Sequence, residues 1–492
     1  MNDLKQKTIS GFLWSFIDSF ANQSILFIIG IILARLLSPD DFGLIGLTVI
    51  FTSIADSLVN SGFSQALIRK NDCTEEDYST VFYFNLFVSI ILYACLFFTA
   101  HYISIFFNEP NLETIIKVLS LVIFIDALCV VQRAKLVKKI NFKLQAKISV
   151  ISSLLSGVIS IIMAYKGMGV WSLVFKMLIQ KSICTILFWS YNKWMPLLRF
   201  NLQIFKSLYK FGYKLLLGGL LDTFYQNIYY VIIGKYFSPV QLGLYTRADQ
   251  FSKLPTSNLN IIFTKVAFPV LSEIQSDRAE LKYNFQKLLK LLMFISFFIM
   301  FMLAAISKPL ILLLIGEKWS GAIIYLQLLC FVGVQLPINA INLLLLQVKG
   351  RSDLYLRIEL IKKIGALPLL LIGIFYNIEG MIIGMALISV IFFFLNSRWT
   401  ISFIPYTQFD QISDITKSFL ICGAVSTIAY LMTFLINKLE LLILVQLSLG
   451  MILLPLFSSL FKHQEYYTLK NVTSNKLKEI KSRLFKKEVF SN

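Results

Sequence analysis

Long apolar runs recur along this chain of 492 residues, and short polar or charged loops separate them. A helical run of about 20 apolar residues is long enough to cross the hydrocarbon core of a bilayer. We therefore expect about fourteen membrane-spanning helices. They centre near Ile25, Ile54, Leu92, Ile123, Ser156, Ile179, Leu221, Asn258, Phe297, Val332, Leu367, Ile388, Ile428 and Ile452.

A ten-residue motif occurs twice, at an offset of 200 positions. Residues 35–44 read RLLSPDDFGL, and residues 235–244 read KYFSPVQLGL. In each copy Ser is suited to be an N-cap and Pro to be the first helical residue, which predicts a tight hairpin between two apolar helices. We interpret the match as an internal duplication. A recurring turn without common ancestry is the alternative.

The repeat predicts an all-α, polytopic membrane protein with two six-helix lobes and two added helices. The lobes are residues 1–200 and 201–400, the added helices lie in 401–462, and residues 463–492 form a basic cytoplasmic tail. Because each repeat contains an even number of spans, both lobes have the same orientation in the membrane. Two parallel lobes are typical of transporters. The eighth predicted span, around Asn258, has the weakest hydropathy. It is kept because the repeat places it opposite the second span.

The composition excludes an ordinary soluble protein and offers no catalytic centre. Hydrophobic residues make up 57% of the chain and charged residues 15%. The six cysteines are scattered without a paired motif, and the only histidines are His101 and His463. We therefore expect no catalytic residues, no metal site and no cofactor.

The net charge of +19 is distributed over the loops in a way that predicts topology. Alternate loops and the C-terminal tail are rich in Lys and Arg, whereas the opposite loops contain few cations. Under the positive-inside rule, both termini lie in the cytoplasm of a multi-pass protein of the cytoplasmic (inner) membrane. This distribution argues against nucleic-acid binding. The longest basic connector, residues 132–147, is expected to lie along the inner surface as an amphipathic helix.

Several charged residues fall within the predicted spans, where they are costly and mark functional sites. Five cations are candidates for a central cavity that binds a negatively charged group such as a diphosphate: Lys176, Lys181, Arg247, Lys253 and Lys362. Four acids are candidates for binding a coupling ion, either H⁺ or Na⁺: Asp18, Asp56, Asp222 and Asp249. Asp126 is a further deep acid to which no role is assigned.

Some of these residues also have simpler structural roles. Arg247 lies near a helix end, from which its side chain can reach the interface. Asp249 and Lys253 are four positions apart and would neutralise each other on one helix face. The polar patches around Asn22 and Asp222 would equally serve hydrogen bonding between packed helices.

Six segments of the chain resemble polysaccharide exporters of the Wzx type. They are Gly11-Phe12-Leu13-Trp14, the stretch from Ala34 to Gly43, Leu58 with Gly62-Phe63, Leu244-Tyr245-Thr246-Arg247-Ala248, Gly316-Glu317-Lys318-Trp319 and Gly350-Arg351-Ser352-Asp353. The resemblance extends over residues 1–400 and points to the colanic-acid-exporter branch of the multidrug/oligosaccharidyl-lipid/polysaccharide exporter superfamily. It implies two six-helix bundles that form a V-shaped cleft.

The resemblance also implies an activity. A flippase of this type moves an undecaprenyl-diphosphate-linked oligosaccharide from the inner to the outer leaflet by alternating access, for surface polysaccharide biosynthesis. The mid-membrane Lys and Arg residues would hold the diphosphate. The partners implied are the lipid-linked oligosaccharide, membrane lipids, a glycan polymerase and the chain-length machinery.

Three alternative functions remain open. A lipid II flippase and a cation-coupled multidrug exporter belong to the same superfamily, and a basic cavity argues against the exporter. The third is an enzyme, a membrane glycan polymerase or glycosyltransferase, because Asp40-Asp41 is similar to the acidic pair of such transferases. However, the second motif copy has Val240-Gln241 there, and the loops are too short to hold an acceptor. We therefore do not expect an enzyme.

Overall fold

The structure is a computed structural model that describes the backbone of residues 2–60, 62–70, 72–471 and 474. Throughout these residues the regular elements are helices. The α-helices are α1 (Asn2–Leu36), α2 (Pro39–Asn60), α3 (Phe63–Arg69), α4 (Glu75–Phe107), α5 (Asn111–Leu119), α6 (Leu121–Lys138), α7 (Phe142–Tyr165), α8 (Trp171–Asn192), α9 (Leu202–Tyr236), α10 (Pro239–Glu273), α11 (Arg278–Ala305), α12 (Ser307–Leu314), α13 (Ala322–Val348), α14 (Ser352–Phe375), α15 (Ile378–Thr400), α16 (Gln408–Leu431) and α17 (Leu439–Leu460). Two short 3₁₀ turns occupy Glu317–Trp319 and Met432–Phe434.

The prediction of an all-α, multi-pass membrane protein is confirmed. Each of the fourteen predicted centres lies in a different long helix, and the fourth span consists of α5 and α6 in succession. Among the described residues, ten helices or helix pairs are long and apolar enough to cross a membrane. The other four long helices are α1, α9, α10 and α14, so the number fourteen stays a prediction.

The chain divides into two compact units, residues 1–246 and 247–492. In the first unit α7 packs between α1 and α8, α6 packs against α4 and α8, and α2 packs along α9. In the second unit α13 packs against α11 and α15, and α16 packs against α11 and α17. Helix α9 thus belongs to the first compact unit, whereas the repeat places it in the second lobe. The lobe boundary at residue 200 stays a prediction about the repeat.

One expectation about the loops is wrong. Residues 132–147 do not form a separate helix along the membrane surface. Residues up to Lys138 continue α6, and α7 begins at Phe142 after a three-residue turn. The turn is tight because Ile140 adopts a positive φ of 55° and the Asn141 side chain caps α7 by accepting from the Leu144 N–H at 3.2 Å.

The predicted helix starts in the repeated motif are confirmed. The Ser38 hydroxyl accepts from the Asp41 N–H at 3.2 Å, and the Asp41 carboxylate accepts from the Ser38 N–H at 2.9 Å. In the second copy Ser238 and Gln241 exchange the same two bonds at 3.3 and 3.4 Å. Each copy therefore closes a reciprocal capping box ahead of a helix that begins with proline.

The two motif copies lie directly against each other within the first unit. A Cβ built at Gly43 would collide with the backbone carbonyl of Pro239, and one built at Gly243 would collide with that of Pro39. The contact is thus reciprocal, first copy to second and second to first. It requires glycine at both positions because any side chain would occupy space already taken by backbone.

A second glycine contact lies at the other end of α2. A Cβ at Gly62 would lie 2.7 Å from the carbonyl oxygen of Gly212, and one at Gly212 would lie 3.0 Å from the carbonyl oxygen of Gly62. Both contacts join α2 or its flanks to α9 or its flanks, with the two helices running in opposite directions. The middle of α2 and the middle of α9 therefore face each other between two close backbone approaches.

The second unit contains a buried amide network between α13, α15 and α16. The Asn396 Nδ2 donates to Asn339 Oδ1 at 2.6 Å. Asn342 and Gln411 exchange two amide hydrogen bonds at 3.0 and 3.2 Å, and the Thr400 hydroxyl donates to Asn342 Oδ1 at 2.7 Å. Hydrogen bonds of this kind join membrane helices where no polar solvent competes.

We predict that Gly43→Ala lowers the free energy of unfolding by about 1–3 kcal/mol, because the added methyl group must displace the backbone at Pro239. Gly218→Ala on α9 is the matched control, since a Cβ there meets open space and alanine favours the helix. Unfolding of both variants in detergent micelles would be compared with that of the unaltered protein. Equal stability of the two variants would contradict a tight contact.

Candidate functional site

A cavity of about 600 Å³ lies within the first unit, between the facing parts of α2 and α9. Helices α6 and α8 supply the rest of its wall. Four charged side chains line it: Asp56, Asp126, Lys181 and Asp222. Charged side chains between membrane-spanning helices make this cavity a candidate transport or binding site.

Lys181 is the centre of the charge arrangement. Its Nζ lies 2.6 Å from the Asp126 Oδ1 and 4.0 Å from the Asp56 Oδ1. Arg133, two turns after Asp126 on α6, places its Nη2 3.4 Å from the same Asp126 oxygen. Asp126 is thus held between two cations, and its side chain is only 4% exposed. Asp56, at 58% exposed, opens into the cavity instead.

Uncharged polar groups complete the cavity wall: Thr52, Ser53, Ser57, Thr223, Gln226 and Asn227. The Thr52 hydroxyl donates to the Thr48 carbonyl at 3.1 Å, which leaves its oxygen as an acceptor. The Asn227 amide donates to the Thr223 carbonyl at 2.7 Å. The wall therefore offers both hydrogen-bond acceptors and donors close to the charged groups.

The family model described as "Polysaccharide biosynthesis protein" matches residues 32–324, which is more than half of the chain. The chain belongs to this family.

Curated relatives match most of the length of the chain. The teichuronic acid biosynthesis protein TuaB of Bacillus subtilis (strain 168) is 26% identical over 438 residues, which is 87% of this chain and 90% of TuaB. The lipopolysaccharide biosynthesis protein WzxC of Escherichia coli (strain K12) is 26% identical over 391 residues, which is 79% of this chain and 80% of WzxC.

Solved structures establish the fold. The lipid II flippase MurJ in an inward closed conformation matches with a TM-score of 0.73 and 17% identity, covering 92% of this chain and 98% of MurJ. An inward-facing multidrug resistance MATE family transporter of the MOP superfamily matches with a TM-score of 0.58 and 16% identity, covering 79% and 98% of the two chains. The chain therefore has the fold of these transporters.

Three of the nine residues predicted for the site line this cavity: Lys181, Asp56 and Asp222. One of the five predicted cations is among them and Asp126 adds a third acid, so this cavity does not have the predicted excess of positive charge. Lys176 lies half-buried on α8, a little more than one turn before Lys181, and is not among the lining residues. The side chain of Asp18 lies outside the described residues.

The remaining predicted residues lie in the second unit. Asp249 and Lys253 form an ion pair at 2.7 Å along α10, which is the mutual neutralisation that their spacing of four predicts. The Arg247 Nη1 donates to the Gln250 Oε1 at 2.7 Å. Lys362 pairs with Glu359 on α14. Each of these three cations thus already has a polar partner on its own helix.

The two polar patches of the sequence have different roles. Asp222, Gln226 and Asn227 of α9 line the cavity. Asn22 of α1 instead accepts from the Ser153 hydroxyl at 2.5 Å, and that hydroxyl in turn accepts from Gln180 at 2.9 Å. Asn22 therefore serves hydrogen bonding between packed helices.

Sequence reasoning missed the two groups that complete the ion cluster. Asp126 is deep by sequence but has no predicted role, and Arg133 falls among the cations of the predicted basic connector. The signal that could have found them is their spacing of seven positions, which places both side chains on one face of a helix. Their interhelical partner Lys181 carries no such local signal.

We predict strong energetic coupling between Asp126 and Lys181. Removing either partner alone breaks the ion pair of 2.6 Å and leaves the other charge poorly compensated, whereas removing the second partner afterwards breaks no further contact between the two. A double-mutant cycle with Asp126→Asn and Lys181→Met, measured by unfolding in detergent, should give a coupling energy of about 0.5–3 kcal/mol. The exposed pair Arg351 and Asp353, 2.8 Å apart, is the control and should couple by less than about 1 kcal/mol. Additive effects at the first pair would refute the cluster.

Proposed function

We propose that this protein is a flippase that moves a polyprenyl-diphosphate-linked oligosaccharide across the cytoplasmic membrane by alternating access. The observation that carries this proposal is the polar, charged cavity within the membrane-spanning first unit. Its volume of about 600 Å³ lies within the range of about 300–1,000 Å³ typical of ligand sites. Membership of the polysaccharide biosynthesis family and the names of the relatives support a glycan substrate.

The uncharged wall of the cavity suits a sugar. The hydroxyl and amide groups of Thr52, Thr223 and Gln226 supply donors and acceptors that match sugar hydroxyls. A cavity of this composition takes a neutral polar group more readily than an apolar drug. The lipid tail remains in the bilayer, so only the head group has to enter the polar space.

Lys181 is the proposed contact for the diphosphate in the first unit. In the present arrangement its ammonium group is held by Asp126, with Asp56 close by. When Asp56 or Asp222 takes up H⁺ or Na⁺, the cavity becomes less negative and an anionic head group can reach Lys181. Ion uptake would thereby favour substrate binding, a positive coupling between the acids and Lys181.

The other predicted residues keep their roles as proposals. Lys176, Arg247, Lys253 and Lys362 are further candidates for diphosphate contacts, and Asp249 and Asp18 for ion binding. Both termini are proposed to lie in the cytoplasm, with a glycan polymerase and the chain-length machinery as partners on the export pathway.

A lipid II flippase is the second candidate function, favoured by the extent of the structural match to MurJ. The main argument for an enzyme was the acidic pair Asp40-Asp41. It does not hold, because the Asp41 carboxylate accepts from the backbone and hydroxyl of Ser38 as part of a helix cap. Expression of this protein in a strain that lacks lipid II transport would distinguish the two functions, since only a lipid II flippase restores growth.

We predict that Lys181→Gln reduces glycan export about tenfold or more, because a hydrogen bond to a charged group contributes about 1.5–3 kcal/mol. Export would be measured as surface polysaccharide and as lipid-linked intermediate retained in the inner leaflet. Asp353→Asn, at an exposed position, is the control and should export normally. If a deletion strain leaves both quantities unchanged, the flippase proposal fails.

Coupling should depend on the acids of the cavity. In vesicles that contain the full-length protein, transport of the lipid-linked oligosaccharide should rise with an imposed gradient of H⁺ or of Na⁺, but not of both. Asp222→Asn or Asp56→Asn should remove that dependence. If transport by the unaltered protein does not change with either gradient, ion coupling is contradicted. The proposed substrate would not be affected by that result.

A further inference from the structure

A second cavity, of about 650 Å³, lies in the second unit between α11, α13 and α16. It differs chemically from the first cavity, because its lining is almost wholly apolar and includes no charged side chain among the described residues. Small residues make room for it: Ala304, Gly423 and Ala424. None of the residues proposed for transport lies in it.

One end of this cavity is closed by aromatic rings. The ring centroids of Phe301 and Phe419 are 5.4 Å apart, and those of Phe301 and Phe331 are 5.9 Å apart. Phe331 and Phe419 are about half exposed, whereas Phe301 is buried beneath them. The buried ring of Phe301 therefore forms an aromatic floor to the cavity, and the half-exposed rings of Phe331 and Phe419 lie at its edge.

The opposite end is polar. Gln327, Thr427 and Tyr430 line it, together with Ser426. Ser426 is only 5% exposed, and its hydroxyl has no hydrogen-bond partner in the described part of the chain. An unpaired buried hydroxyl costs free energy unless a bound group satisfies it. The polar end thus offers hydrogen bonds that the protein itself does not use.

The part of α16 that lines the cavity is about as long as one leaflet of a bilayer. Phe419 and Tyr430 are eleven positions apart on α16, which at the rise of an α-helix is about 16 Å. Half of the hydrocarbon core of a bilayer is about 15 Å thick. The second cavity is a slot that is open at its side, since Ile324 and Leu420 in its wall are exposed. A hydrocarbon chain can therefore enter from the surrounding bilayer.

We propose that this slot binds one acyl chain of a membrane glycerophospholipid. The chain lies along α16 with its methyl end at the aromatic floor, and the ester group accepts hydrogen bonds from Thr427, Gln327 or Ser426. A polyprenyl diphosphate fits less well, because its tail is longer than one leaflet and the lining has no cation for its phosphates. With the termini in the cytoplasm, as in the proposed function, the lipid comes from the outer leaflet.

The test uses the full-length protein in nanodiscs of phosphatidylglycerol that carries a photoreactive diazirine near the end of one acyl chain. After irradiation, mass spectrometry should find the label on peptides of α11, α13 or α16 around Phe301, Phe331 and Phe419. Gly423→Leu fills the slot and should reduce this labelling about tenfold. Gly365→Leu on α14, also in open space, is the control and should label as the unaltered protein does.

A second variant distinguishes the loss of lipid binding from misfolding. Thr427→Val keeps the shape of the slot and removes a donor, so the melting temperature in lipid-free detergent should be unchanged, whereas the stabilisation by added phosphatidylglycerol should be smaller. Equal labelling of Gly423→Leu and the unaltered protein would overturn the proposal. So would displacement of the label by polyprenyl phosphate, which would assign the slot to the substrate tail instead.

Discussion

Hydrocarbon offers no hydrogen bonds and little screening of charge, and the interior of this protein follows from that constraint. Backbone groups are satisfied within helices, and helix starts such as those at Ser38 and Ser238 are closed by side-chain caps. Side chains obey the same rule across helices. Asp126 is held between Lys181 and Arg133, and Asn342 and Gln411 bond each other in the second unit. Polar groups thus act as the specific contacts between otherwise uniform apolar surfaces.

The same constraint separates the two cavities by chemistry. The cavity of the first unit contains charges and hydroxyl groups, so it suits a hydrated head group. The cavity of the second unit is apolar with one polar end, so it suits a chain that is already dissolved in the bilayer. In the proposed roles, the first cavity takes the head group of the substrate, and the second takes an acyl chain of a different lipid.

Sequence predicted what depends on local chemistry. The apolar runs placed the helices, the Ser-Pro pairs placed two of their starts, and the spacing of four between Asp249 and Lys253 indicated their pairing. It did not predict the partner of Lys181, because that depends on how α6 and α8 are rotated about their axes. Sequence reasoning also placed Arg133 in the basic connector. Counting cations along the sequence does not show in which direction a long side chain points. The role of Asn22, which bonds Ser153 and not the cavity, was undecided for the same reason.

The reciprocal glycine contact has a consequence for how this sequence can change. Two similar segments at separate places in a fold can ordinarily change independently, because each has its own surroundings. Here Gly43 meets Pro239 and Gly243 meets Pro39, so each copy is the surroundings of the other. A substitution in one copy alters the space available to its twin. A change at either glycine therefore requires a shift of the backbone in the other copy, so the two motifs are constrained together.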